Sequence, residues 1–252
     1  MQLTPESVIL ICVILTALLP LAIGAIKAPI RFRQCSWHTV ESGFEPCKDN
    51  SLPPDVNDRV DILKELGFVV LGTWQYSGFS RATAKLTLME HPHNLDVAKV
   101  MISTAGRIRV VVSQFQTRFE DGTEIATANN PLSSGLPSFP DQIVVWLPEM
   151  HDLKQLYAVH TEVIAAQRIR KKKLPIGPNP TGSLIEARDR LLAHLVDKGY
   201  YYRDDTVYRP TWKGALLLTY RHLWPVRRFY QSWRRRPTRE LLRELGIHLE
   251  HD

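Results

Sequence analysis

Phe115-Gln-Thr-Arg-Phe-Glu-Asp-Gly-Thr-Glu-Ile-Ala-Thr-Ala-Asn129 decides the fold. Asp121-Gly122 supplies a residue that accepts positive φ, and strand-forming residues flank it, so the stretch predicts a β-hairpin. On the first strand Val111, Phe115 and Phe119 share one face, while Gln114, Gln116 and Arg118 share the other. Upstream, Phe68–Tyr76, Ala82–Leu88 and Val97–Thr104 read as further strands. Downstream, Ile143–Leu147 reads as a last one. Strands that follow one another through short turns predict an antiparallel sheet, and with helices outside the run the class is α+β.

Helices frame the strands. Arg59–Gly67 carries apolar residues at 60, 62, 63 and 66 and ends on a C-cap glycine. Glu149–Lys173 predicts one long helix with Met150, Leu153, Leu156, Tyr157, His160 and Ile164 inside. Pro175-Ile-Gly-Pro-Asn-Pro180 breaks the chain. Ser183-Leu-Ile-Glu186 has the form of a capping box and predicts a helix that closes at Gly199. A hairpin at Tyr200–Arg209 follows, then a helix from about Thr211 to Trp224 and a short one at Arg239–Gly246. Residues 184–224 resemble the end of a winged-helix domain, although the charges on residues 186–198 balance, which is a poor basis for phosphate contact.

Of 252 residues, 44% are hydrophobic and 23% charged, which excludes wholesale disorder, and three cysteines exclude a disulfide scaffold. From Ser7 to Ile26 no residue is charged. A helix of that length spans about 30 Å, the thickness of a bilayer core. No Lys or Arg precedes the run, which favours a retained anchor over a cleaved signal peptide, although Ala22-Ile23-Gly24-Ala25 would serve for cleavage. Lys27, Arg31 and Arg33 follow it, so the positive-inside rule places the N-terminus outside and the C-terminal domains in the cytoplasm of a single-pass inner-membrane protein. The expected organisation is a transmembrane anchor over 1–27, a linker over 28–58, an α+β domain over 59–174, and a winged-helix-like region with an arginine-rich tail over 182–252.

The net charge of +6 is unevenly placed. Residues 168–173 hold five positive charges and no acid. Residues 221–243 hold eight arginines and one acid, Glu240. Trp224, Phe229, Tyr230 and Trp233 interleave with those arginines, a composition suited to an anionic inner leaflet. Arg227, Arg228, Arg234, Arg235, Arg236, Trp224 and Trp233 are the residues expected to bind that surface or another anion.

Enzyme signatures with fixed spacing are absent: no G-x-S-x-G, P-loop, H-E-x-x-H or C-x-x-C occurs. Glu90-His91-Pro-His93 reads as a turn rather than a metal site, because spacing fixes no third ligand. No metal or cofactor is expected. Thr117, Thr127, Asn129 and His160 are the candidates for lining a polar pocket beside the sheet.

The segment Thr117–Asn129, T-x-F-x-D-G-x-x-x-x-T-x-N, resembles one in uncharacterised bacterial single-pass membrane-anchored proteins. That resemblance implies a membrane-anchored relative of unknown function and carries no catalytic residue with it. The leading expectation is a non-enzymatic binding or scaffolding module at the inner leaflet, touching lipid or a protein partner. An enzyme with a pocket beside the sheet comes second. Nucleic-acid binding through the arginine-rich tail ranks last.

Overall fold

A computed structural model describes residues 27–31, 33–34, 37–38, 44–47, 52–79, 82–105, 108–130, 139, 141–167, 172–205, 207–220 and 226–247. The Asp121-Gly122 turn forms as its chemistry requires. Gly122 has φ of +86°, and the Asp121 carboxylate accepts from the Thr123 backbone N–H and hydroxyl at 3.1 and 2.6 Å. It joins β6 (Ile108–Phe119) to β7 (Glu124–Ala128) in antiparallel register, with Phe115 opposite Thr127.

The hairpin sits within an eight-stranded sheet. β2 (Phe44–Pro46), β3 (Val69–Phe79), β4 (Ala82–Glu90), β5 (Val97–Ala105), β6 and β7 lie side by side in chain order, all antiparallel. β8 (Gln142–Trp146) extends the sheet beside β7, and β9 (Lys173–Leu174) pairs with the end of β6. The α+β class with a mostly antiparallel sheet is therefore present. One pairing differs from expectation, because β8 runs parallel to β7 with Ile125 opposite Ile143. β8 starts level with the start of β7, Gln142 opposite Glu124, whereas a hairpin partner would start level with the end of β7.

Two helices cover one face. α1 (Pro54–Glu65) begins at a proline in its first turn and buries Val56, Val60 and Leu63. It ends in a Schellman motif: Gly67 N–H donates to the Lys64 carbonyl and Phe68 N–H to the Leu63 carbonyl. α2 (Leu153–Ala166) is capped by Asp152, whose side chain accepts from the Lys154 and Gln155 amides. It buries Leu153, Leu156, Val159 and Val163 against Ala98, Val100, Phe115, Phe119, Ile125 and Val145. α2 ends at Ala166, shorter than the expected 149–173 helix, and Lys173 and Leu174 instead pair as a strand with β6.

α3 (Pro180–Asp197) starts earlier than the capping-box reading, since Asn179 caps it by accepting from Gly182 N–H at 2.9 Å. Its Leu184 packs on the opposite sheet face with Trp74, Leu86, Leu88 and Val97. Trp74 Nε1 donates to Thr181 Oγ1 at 2.9 Å and ties helix to sheet. After α3 come β10 (Tyr201–Asp204), β11 (Val207–Pro210) and α4 (Trp212–Tyr220). β1 (Trp37–His38) pairs with β11, so the order is β1-β11-β10. The span read as a 28–58 linker thus contributes β1, β2 and the start of α1. Gly214 is required where α4 meets the hairpin, because a Cβ there would overlap the Tyr200 carbonyl oxygen.

α5 (Val226–Glu244) is one helix of 19 residues with Pro237 inside it, not a short helix beginning near Arg239. It docks beside β8. Thr238 Oγ1 accepts from Trp146 N–H at 3.0 Å, Arg235 pairs with Glu149 at 2.6 Å, and Leu242 is 3% exposed in the main core.

The expected transmembrane helix, single-pass topology and inner-membrane location are corrected here. Among the described residues no helix is long and apolar enough to cross a membrane. The longest two, α3 and α5, carry charged residues along their length, such as Glu186, Arg188 and Asp189 in α3. The 7–26 stretch, with its proposed cleavage site and Cys12, lies outside the described residues, as does Cys35.

Candidate functional site

β6, β7 and α2 converge on a buried polar cluster. Phe115, Thr117 and Phe119 alternate onto the face of β6 that α2 covers, and Thr127 does so from β7. His160 lies on α2 one turn beyond Leu156, which aims its ring at the two threonines. Thr117, Thr127 and His160 are each 0% exposed. His160 Nε2 is 3.0 Å from Thr117 Oγ1, and Nδ1 is 3.0 Å from Thr127 Oγ1.

Three further residues complete the cluster. Asp96, also 0% exposed, accepts from the Thr117 hydroxyl at 2.6 Å through Oδ1. Lys173 Nζ lies 2.7 Å from the same oxygen. The Tyr157 hydroxyl donates to Asp96 Oδ2 at 3.0 Å and accepts from Asn94 Nδ2 at 3.1 Å.

These contacts fix the direction of every proton. Thr117 has one hydroxyl hydrogen, and Asp96 takes it. Thr117 must then accept from His160, so Nε2 carries the ring proton. Nδ1 accepts in turn from Thr127. Burial lowers the His160 pKa to about 4, with the Asp96 carboxylate opposing and Lys173 reinforcing, so the ring is neutral near pH 7. Burial also pushes Tyr157 up to about 12, against the Asn94 hydrogen bond and with the neighbouring Asp96 adding to the rise.

Asn129 stands apart from the imidazole. Its Oδ1 accepts from Ser113 N–H at 2.8 Å and its Nδ2 donates to the Met150 carbonyl at 3.2 Å. It pins the end of β7 to β6 and to the approach of α2.

Both ring nitrogens of His160 are occupied, and Thr117, Thr127 and Asp96 are sealed from solvent. Such a cluster holds strands and helix in register; it offers no open position for a substrate atom. Lys173, read as the end of the basic run 168–173, is the counter-ion of a buried carboxylate, and residues 168–171 lie outside the described residues. His91 also serves a turn, its Nδ1 facing the His93 and Asn94 amides at 3.3 Å. Among the described residues no group of three His, Cys, Asp or Glu side chains could hold a metal ion.

No family model, curated protein or solved structure matches this chain. Residue roles therefore rest on geometry alone.

The anion-binding candidates divide along α5. Arg228 and Arg236 are exposed, as are Arg239 and Arg243. Phe229 is 75% exposed and Trp233 62%. Arg235 turns inward instead, to Glu149 and over the Trp146 ring at 5.8 Å. Arg227 and Arg234 lie on the helix, but their side chains, like Trp224 as a whole, fall outside the described residues. Asp96, Tyr157 and Lys173 were not found from sequence. Tyr157 and His160 at i, i+3 on one helix face were the available signal.

Proposed function

We propose that the chain is a non-enzymatic binding module whose contact surface is the outer face of α5 and whose partner is a protein with an acidic-rimmed apolar groove. One observation carries this: a helix fixed to the sheet on one side exposes large apolar residues on the other. Val226, Phe229 and Trp233 are 45%, 75% and 62% exposed, at i, i+3 and i+7. That is the spacing by which a helix seats in a groove. Arg228, Arg236, Arg239 and Arg243 flank the strip on one side and favour an acidic rim there. The apolar strip favours a protein over nucleic acid, which offers no comparable apolar groove. The enzyme alternative is weakened because Thr117, Thr127 and His160 belong to a closed cluster and Asn129 is committed to the Ser113 and Met150 backbone.

Two variants of the full chain test this, Arg228→Glu/Arg236→Glu/Arg239→Glu/Arg243→Glu and Phe229→Ala/Trp233→Ala. Proteins that co-purify with the unaltered chain from its own cells are expected to be lost from both. A co-purifying set unchanged in either variant would overturn the reading.

A further inference from the structure

The small sheet has two unlike faces. Tyr201 and Tyr208 point inward, 2% and 9% exposed, and pack with Leu192, Leu195 and Leu218. Alternation turns Tyr202 and Arg209 outward, and the ladder sets them directly opposite each other. Ile30, Arg33 and Gln34 come over this outer face, and Trp212 borders it from the start of α4. Together these six residues line a cavity of about 250 Å³.

From these residues we infer a second binding site, one for a nucleotide phosphate with its base, and it stands independently of the α5 reading. The two guanidinium groups are already oriented. Arg33 Cζ lies 4.4 Å from the centre of the Trp212 ring, a cation–π contact that holds the guanidinium at the cavity wall. Arg209 is held through Nε by Asp204 at 3.0 Å, while its terminal nitrogens remain for an oxyanion. Two forked donors lining one cavity suit a phosphate better than a single carboxylate. Tyr202, 39% exposed, supplies ring surface for a flat base, while Trp212, 51% exposed, carries Arg33 over its ring. At about 250 Å³ the cavity is smaller than most small-molecule pockets, roughly 300–1,000 Å³, which excludes a dinucleotide cofactor. The exposed rim lets that nucleotide be free or part of a single strand.

Fluorescence anisotropy on the full chain tests the site with three probes: a labelled oligothymidylate, a labelled adenosine monophosphate, and inorganic phosphate as competitor. Saturable binding of either nucleotide probe is expected. Arg33→Ala, Arg209→Ala and Trp212→Ala should each weaken it about tenfold or more. Arg33→Lys, which keeps the charge but not the stacked plane, should weaken it measurably and guards against an alanine variant that fails to fold. Binding of the oligomer alone places the nucleotide in a strand, and binding of the monomer places it free; either supports the site. No saturable binding, binding indifferent to all four substitutions, or displacement by inorganic phosphate as effective as by unlabelled nucleotide would overturn it.

Discussion

His160 Nε2 donates to Thr117 Oγ1 across 3.0 Å, and because Thr117 spends its own hydrogen on Asp96, this single contact sets the tautomer of a fully buried imidazole. The same contact ties α2 to β6, so helix position and proton position depend on one another.

Thr117→Val removes a hydroxyl that serves two buried partners, His160 and Asp96. Thr127→Val removes a donor to one. Unsatisfied buried groups cost about 1–3 kcal/mol each, so the first variant should lose roughly twice the stability of the second in urea unfolding. Equal losses would show that the directed chain of hydrogen bonds is wrong.

Stability should depend on pH through His160. Its pKa is lowered on folding, from an ordinary value near 6.5 to about 4. Between those values the unfolded chain takes up a proton that the folded chain refuses, so stability falls as pH drops through that window. Above about pH 6.5 this group contributes no slope. Each pH unit inside the window costs about 1.4 kcal/mol, so the loss accumulates to roughly 3 kcal/mol by about pH 4. His160→Gln should flatten the wild-type curve between pH 6.5 and 4; identical curves would contradict the buried neutral ring.

Lys173→Met leaves the Asp96 carboxylate buried without its ammonium partner. A broken buried pair of this kind costs about 3–5 kcal/mol. Adding Asp96→Asn should recover part of that loss, since an amide oxygen still accepts from Thr117. A double variant no more stable than Lys173→Met would mean that charge is not the issue.

On α5 the inward and outward residues should separate cleanly. Thr238→Val strips the acceptor from Trp146 N–H and should cost about 1–3 kcal/mol. Arg228→Glu and Arg236→Glu lie on the exposed face and should stay within about 0.5 kcal/mol of wild type in thermal unfolding. A large loss from the exposed pair would place those arginines in the fold instead of at a contact surface.

Much of the sheet was legible because Asp121-Gly122 fixes one turn, period-two alternation marks β4 and β6, and an apolar run marks β5. What escaped depends on contacts distant in sequence. β1 and β2 are too short for any period, and only pairing with β11 and β3 makes them strands. The parallel course of β8 is set by its pairing with β7, which the local propensity of residues 142–146 does not encode. Thr117, Thr127 and His160 were legible as polar residues of one region, and the structure brings them together. Their closure was not, because Asp96 reaches the cluster from the turn before β5 and Lys173 from β9. The division of the α5 arginines depends on Glu149 and Trp146, far upstream of the helix.

The claim that the outer face of α5 is a protein contact is tested most directly by photocrosslinking in living cells. A photoreactive phenylalanine analogue at position 229 or 233 of the full chain should capture a defined protein. The same analogue at Glu65, on the far helix α1, should not. The adduct should disappear when Arg228 and Arg236 are reversed to glutamate. Equal capture from position 65, capture of nucleic acid alone, or no adduct from either α5 position would contradict the account.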